Sequence, residues 1–111
     1  IGGAVLAALG LSRQSFVASQ AVAALHGQRD IQKVVLVGPA TSRFGVAAIP
    51  DELRQRTLVI HGEHDDTAPL QSVLDWARPQ ALPVLVVPGG GHFFHGQLPL
   101  LRELVQRHLV A

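Results

Sequence analysis

Leu58-Val59-Ile60-His61-Gly62-Glu63-His64-Asp65-Asp66-Thr67-Ala68-Pro69 is the stretch on which the fold turns. It opens on three apolar residues with no polar residue between them, and turn residues follow at once. A short continuous run of this kind reads as a strand covered on both faces, which is the habit of parallel sheets. Two further runs repeat the pattern. Val34-Val35-Leu36-Val37 ends in Gly38-Pro39, and Val84-Leu85-Val86-Val87 ends in Pro88-Gly89-Gly90-Gly91. Ala4 to Leu9 is a weaker fourth candidate because half of it is alanine.

Around these runs the apolar spacing changes to that of helices. Between Ser15 and Leu25 the apolar residues Phe16, Val17, Ala18, Ala21, Val22, Ala24 and Leu25 recur at helical spacing, and Gly27 supplies a stop. Pro69 to Ala77 predicts a shorter helix, with proline in its first turn and Leu70, Val73, Leu74 and Ala77 on one side. Leu98, Leu101, Leu104, Val105 and Leu109 form the clearest stripe, with Arg102, Glu103, Gln106 and Arg107 opposite. The resulting order is strand, helix, strand, strand, helix, strand, helix. Alternation of this kind predicts an α/β fold with a parallel sheet. Residues 39–57 form a connection with no strong period, and the chain contains no internal repeat or low-complexity tract.

Composition narrows the function. At 111 residues the chain is one domain. With 48% apolar and 15% charged residues it suits a packed core and not a disordered tail. Nine Lys and Arg against eight Asp and Glu leave a formal charge of +1, a near-balance without the basic stripe that phosphate binding needs. Nucleic acid is therefore not expected as a partner. Neither is a membrane, since Arg13 and Gln14 interrupt the first apolar stretch well short of a span of about 18 residues. The absence of cysteine excludes a disulfide framework, a thiolate metal site and a Cys nucleophile. A cytoplasmic setting is expected. There is no Met, even at position 1, which leads to the expectation that the chain is a piece of a longer product.

In an open α/β sheet the working residues lie just past the carboxyl ends of strands. Three polar loops fall there. Gly10-Leu11-Ser12-Arg13 follows the first strand, the His61 to Pro69 stretch follows the third, and Pro88 to His95 follows the fourth. They supply serine, aspartate and histidine in that order. A serine hydroxyl becomes a competent nucleophile when an imidazole takes its proton and a carboxylate orients the imidazole. Each residue also has a simpler structural reading. Ser12 could cap the following helix, with Ser15 a distant second candidate for nucleophile. Asp65 could be a turn residue, with Asp66 beside it as a rival, and His92 could be a solvated loop histidine. Trp76 and Phe93 read more readily as core than as a substrate platform. His61, His64, Asp65, Asp66, His92 and His95 could also ligate a metal, although the two His-x-x-His spacings do not match the i, i+4 histidines of a helical zinc site.

Leu58 to Asp65 with Pro69, and Val86-Val87-Pro88-Gly89-Gly90-Gly91-His92-Phe93, resemble the acid and histidine loops of the α/β-hydrolase superfamily. The stretch from Ser15 to His108 is similar to the C-terminal half of such a domain. Ser72 to Pro79 and His92 to Leu98 further resemble its small bacterial branch of serine hydrolases, related to dienelactone hydrolases and esterases. The resemblance implies a partial α/β-hydrolase fold of three to four parallel strands with helices on both faces, residues 1–111 being its C-terminal portion. It implies a catalytic set of Ser12, Asp65 and His92, with the Arg13 N–H as an oxyanion donor and with Leu70 and Phe93 lining the substrate site. The 39–50 connection and Phe94 would add apolar wall. The implied activity is that of a carboxylesterase-like serine hydrolase acting on a small-molecule acyl substrate, with no metal and no organic cofactor. The family's G-x-S-x-G elbow reads Gly10-Leu11-Ser12-Arg13-Gln14 here, so Gln14 replaces its last glycine. The alternative reading is an inactive remnant that self-associates through an exposed sheet edge, which makes a homo-oligomer the other partner to test for.

Overall fold

The apolar runs all become strands in the computed structural model, which describes residues 3–8, 30–39, 41 and 47–110. β1 (Gly3–Ala8), β2 (Asp30–Val37), β3 (Thr57–Gly62) and β4 (Val84–Val87) lie side by side in chain order. Every neighbouring pair is parallel. Val35 pairs with Leu58 and Leu36 with Val59, while Ile60 pairs with Leu85 and His61 with Val86. This register brings the ends of β2, β3 and β4 to one edge of the sheet. β2 begins at Asp30, four residues before its apolar run, and its added residues pair with β1 across an irregularity between Ala4 and Val5. Backbone pairing, not side-chain hydrophobicity, sets that end of the strand.

Parallel neighbours need a crossover. Between β3 and β4 it carries α1 (Leu70–Ala77), which runs on into a short 3-10 turn at Arg78–Gln80. Between β2 and β3 the described part carries a 3-10 helix, Asp51–Arg56. α2 (Leu98–Val110) follows β4. The helix expected over Ser15 to Leu25 lies outside the described residues.

Alternation along β2 divides the core into two layers. Val34 and Leu36 pack with Val59 of β3 against Ile49, Leu53, Val73, Ala77 and Leu82, from the 3-10 helix and α1 side. Val35 and Val37 pack with Ile60, Val87 and Phe94, flanked by Leu101, Leu104 and Val105 of α2. Helical elements thus cover both faces of a parallel sheet, a partial α/β fold. Each fully buried Val, Leu or Ile contributes about 1.5–3 kcal/mol of transfer free energy, so β2 and β3 anchor the molecule. Among the described strands β4 lies at an edge, and it departs from the expected two-sided burial, with Val86 37% exposed.

Gln80 ties the β2–β3 connection to α1. Its side-chain carbonyl accepts the Ile49 N–H at 2.7 Å, and its amide donates to the Trp76 carbonyl at 2.9 Å. Further along, His108 of α2 meets the Arg56 carbonyl at 2.9 Å, which fastens the end of α2 beside the start of β3.

Candidate active site

β3 delivers the first half of the site. Its last residues, His61 and Gly62, are buried, and the chain then turns through exposed Glu63 and His64 to bring Asp65 back to 5% exposure. One carboxylate oxygen of Asp65, Oδ1, accepts the N–H groups of Thr67 at 2.9 Å and Ala68 at 2.7 Å. This is the local turn that aspartate forms with the backbone following it. With Oδ1 occupied, Oδ2 faces the other loop and meets His92 Nδ1 at 2.8 Å. Of the two adjacent carboxylates Asp65 makes this contact, whereas Asp66 is exposed.

β4 delivers the second half. After Val87 the Gly90 N–H bonds the Val87 carbonyl at 3.1 Å, and the Phe94 N–H bonds that of Gly91 at 3.3 Å. Phe94 adopts a left-handed φ of +53°. That conformation costs a side-chain-bearing residue about 1–2 kcal/mol. Burying its ring to 1% exposure in the α2-side core contributes about 1.5–3 kcal/mol, enough to offset it. The ring therefore pins the turn that holds His92, and it belongs to the core instead of lining the site as the sequence suggested. Phe93 does the reverse. It is 55% exposed and edge-on to His92, with ring centroids 5.0 Å apart.

The two loops are fastened to each other. Glu63 N–H donates to the Val87 carbonyl at 3.0 Å and His64 N–H to the Gly90 carbonyl at 2.8 Å. The Gly89 N–H donates to the Glu63 carboxylate at 2.8 Å. A Cβ on Gly62 would lie 2.4 Å from the Gly90 carbonyl oxygen, so only glycine permits this approach. Gly38, at the end of β2 with φ +62°, closes the third side. A Cβ there would stand 3.4 Å from His92 Cε1 and 3.7 Å from Asp65 Oδ2.

Behind the carboxylate lies His61, fully buried, its Nε2 hydrogen-bonded to the Ala68 carbonyl and 3.5 Å from Asp65 Oδ2. Burial holds its pKa below the ordinary imidazole value, outweighing the opposing pull of the Ala68 carbonyl and the Asp65 charge; the nearby His92 acts in the same direction as burial. The paired histidine spacings do not converge. His61 and His92 are buried while His64 and His95 are exposed, and no group of three or more His, Asp or Glu among the described residues is arranged to hold a metal ion.

Since an ionised carboxylate only accepts hydrogen bonds, the His92 proton facing Asp65 sits on Nδ1. In the neutral ring Nε2 is then the basic nitrogen, on the far side from the carboxylate. A nitrogen so placed can accept a proton. Leu70 is half-buried at the start of α1. Ser12, Arg13 and Gln14, like Ser15, lie outside the described residues. Sequence reading missed the parts played by His61 and Gly38. The signal for the first was a histidine continuing an apolar run, and for the second a glycine closing a buried strand. An apolar groove of about 320 Å³ along α2, lined by Leu98, Leu101, Arg102, Val105 and Gln106, includes neither Asp65 nor His92.

The structures to which this chain is similar relate it to the α/β-hydrolase superfamily. No family model and no curated protein matches it by sequence. Among solved structures it is similar to an α/β serine hydrolase without a lid from Xanthomonas campestris, with 29% identity and a TM-score of 0.76 over 95% of this chain and 45% of that one. It is also similar to an α/β serine hydrolase homologue from Coxiella burnetii, with 27% identity and a TM-score of 0.71 over 95% of this chain and 48% of that one. A YdeN-like hydrolase from Pectobacterium atrosepticum shares the fold at 23% identity and a TM-score of 0.58, over 80% of this chain and 48% of that one. The chain thus spans less than half the length of each of these structures.

Proposed function

We propose that this chain is the C-terminal portion of a serine hydrolase domain and supplies its catalytic residues for ester-type substrates. The observation that carries the reading is the buried 2.8 Å bond between Asp65 and His92. In this reading Ser12 attacks an acyl carbonyl and His92 Nε2 takes its proton, later giving it to the leaving group. Asp65 holds the imidazole tautomer and stabilises the imidazolium. The Arg13 N–H is one oxyanion donor, and Leu70 and exposed Phe93 flank the substrate. The substrate is a small acyl compound, and a cytoplasmic setting suits a chain without cysteine. Among the described residues no helix is long and apolar enough to cross a membrane.

The experiment is intact-mass analysis of the folded chain after exposure to a fluorophosphonate, which traps serines activated by a base. One adduct is expected, mapped to Ser12, absent in Ser12→Ala and lost in His92→Ala. A folded chain that takes no adduct would overturn the catalytic reading. It would favour the second one, an inactive relative that associates through β1, whose outer edge pairs with no other described strand.

A further inference from the structure

The hydrogen bonds behind the carboxylate form a chain that the proposed chemistry does not use. A carbonyl only accepts, so His61 Nε2 carries the proton it gives to Ala68. Ala68 in turn gives its own N–H to Asp65 Oδ1 at 2.7 Å, and both Ala68 and His61 are fully buried. The His61 ring thus holds the carbonyl of the residue whose N–H holds the carboxylate, fixing the Ala68 backbone on both sides. The remaining ring nitrogen, Nδ1, is buried without a hydrogen-bond partner among the described residues, so the Ala68 contact is the ring's hydrogen bond there. An Asp side chain has a soft terminal torsion with a broad two-fold profile. The Thr67 and Ala68 N–H groups on one oxygen therefore set the plane of the carboxylate, and with it the direction in which the other oxygen meets His92.

We propose that His61 is a positioning residue that fixes the plane of the Asp65 carboxylate by clamping the Ala68 carbonyl, so that the oxygen not held by Thr67 and Ala68 faces His92. The ring stays neutral, which burial favours. A charged ring 3.5 Å from Oδ2 would compete with His92 for the same oxygen. The functional weight of the proposal rests on reading Asp65 and His92 as acid and base, but the clamp itself can be read without turnover.

The test is NMR of the full chain labelled with 15N-histidine, following His61 and His92 from neutral pH down to about pH 5, the range over which an unperturbed imidazole gains its charge. The wild type is expected to show His61 as the neutral tautomer with its proton on Nε2, and a low-field Nδ1 proton on His92. His61→Phe, which keeps a ring but removes the donor, should lose the low-field signal and lower the His92 titration midpoint. His61→Gln, whose amide can reach the same carbonyl, should restore both. A folded His61→Phe chain with an unchanged His92 signal and midpoint overturns the proposal, as does a wild-type His61 with its proton on Nδ1. If the Phe variant does not fold, the Gln variant decides: retention of both His92 signatures supports the clamp and their loss overturns it. Failure of the fluorophosphonate test would leave these signals intact, so the two readings fail separately.

Discussion

Gly38, Gly62 and His61 set the site although none of them performs the proposed chemistry. Gly38 adopts a φ of +62° that a side chain would strain, and a Cβ on Gly62 would collide with the Gly90 carbonyl. His61 makes the acid loop sensitive to pH. In the unfolded chain an imidazole titrates near 6.5. In the fold burial holds His61 below that value, with Asp65 and the Ala68 carbonyl pulling the other way and His92 adding to burial. Between the two values the unfolded chain binds the extra proton, so this contribution is complete above about pH 6.5 and is lost as pH falls towards the folded-state value. For one proton the slope is at most about 1.4 kcal/mol per pH unit. Urea unfolding at neutral and mildly acidic pH should show lower stability in acid, with a shallower dependence in His61→Gln. Parallel profiles for the two proteins would show that His61 is not the titrating group.

The elements were legible to different degrees, for physical reasons. β4 and the start of α2 fall where the apolar spacing sets them, although Val86 is 37% and Leu98 58% exposed, so the spacing located these elements without giving their burial. β2 runs back to Asp30, since its first residues pair with β1 through the backbone, which hydropathy does not register. The end of the 39–57 connection showed no period because the 3-10 helix over Asp51–Arg56, with Leu53 as its buried residue, has no stripe to display. The acid and histidine loops were legible because glycine and proline mark where strands end. The role of Phe94 was not, since a ring beside a candidate base reads equally as wall or as core. Gln80 was invisible, being a polar residue whose value lies in two backbone partners. Gln80→Leu leaves the buried Ile49 N–H unsatisfied, at a cost of about 1–3 kcal/mol. A fall of that size in unfolding free energy, with the Asp65–His92 signals unchanged, is the expected result.

For the molecule as a whole, the sheet order leaves β1 with one neighbour among the described strands. An open parallel edge presents unpaired N–H and C=O groups to any compatible strand. Sedimentation at about tens of micromolar, where exposed edges typically associate, should show concentration-dependent self-association. A compact monomer throughout would count against an available edge. The contact between Gly62 and Gly90 has a consequence on a longer timescale. Because the two backbones touch, neither loop can accept an insertion or a bulkier residue at that point unless the other changes with it. Lineages sharing this geometry would have to diversify their substrates elsewhere, in the 39–50 connection or around exposed Phe93. The machinery that orients the base would pass between them as one inherited unit.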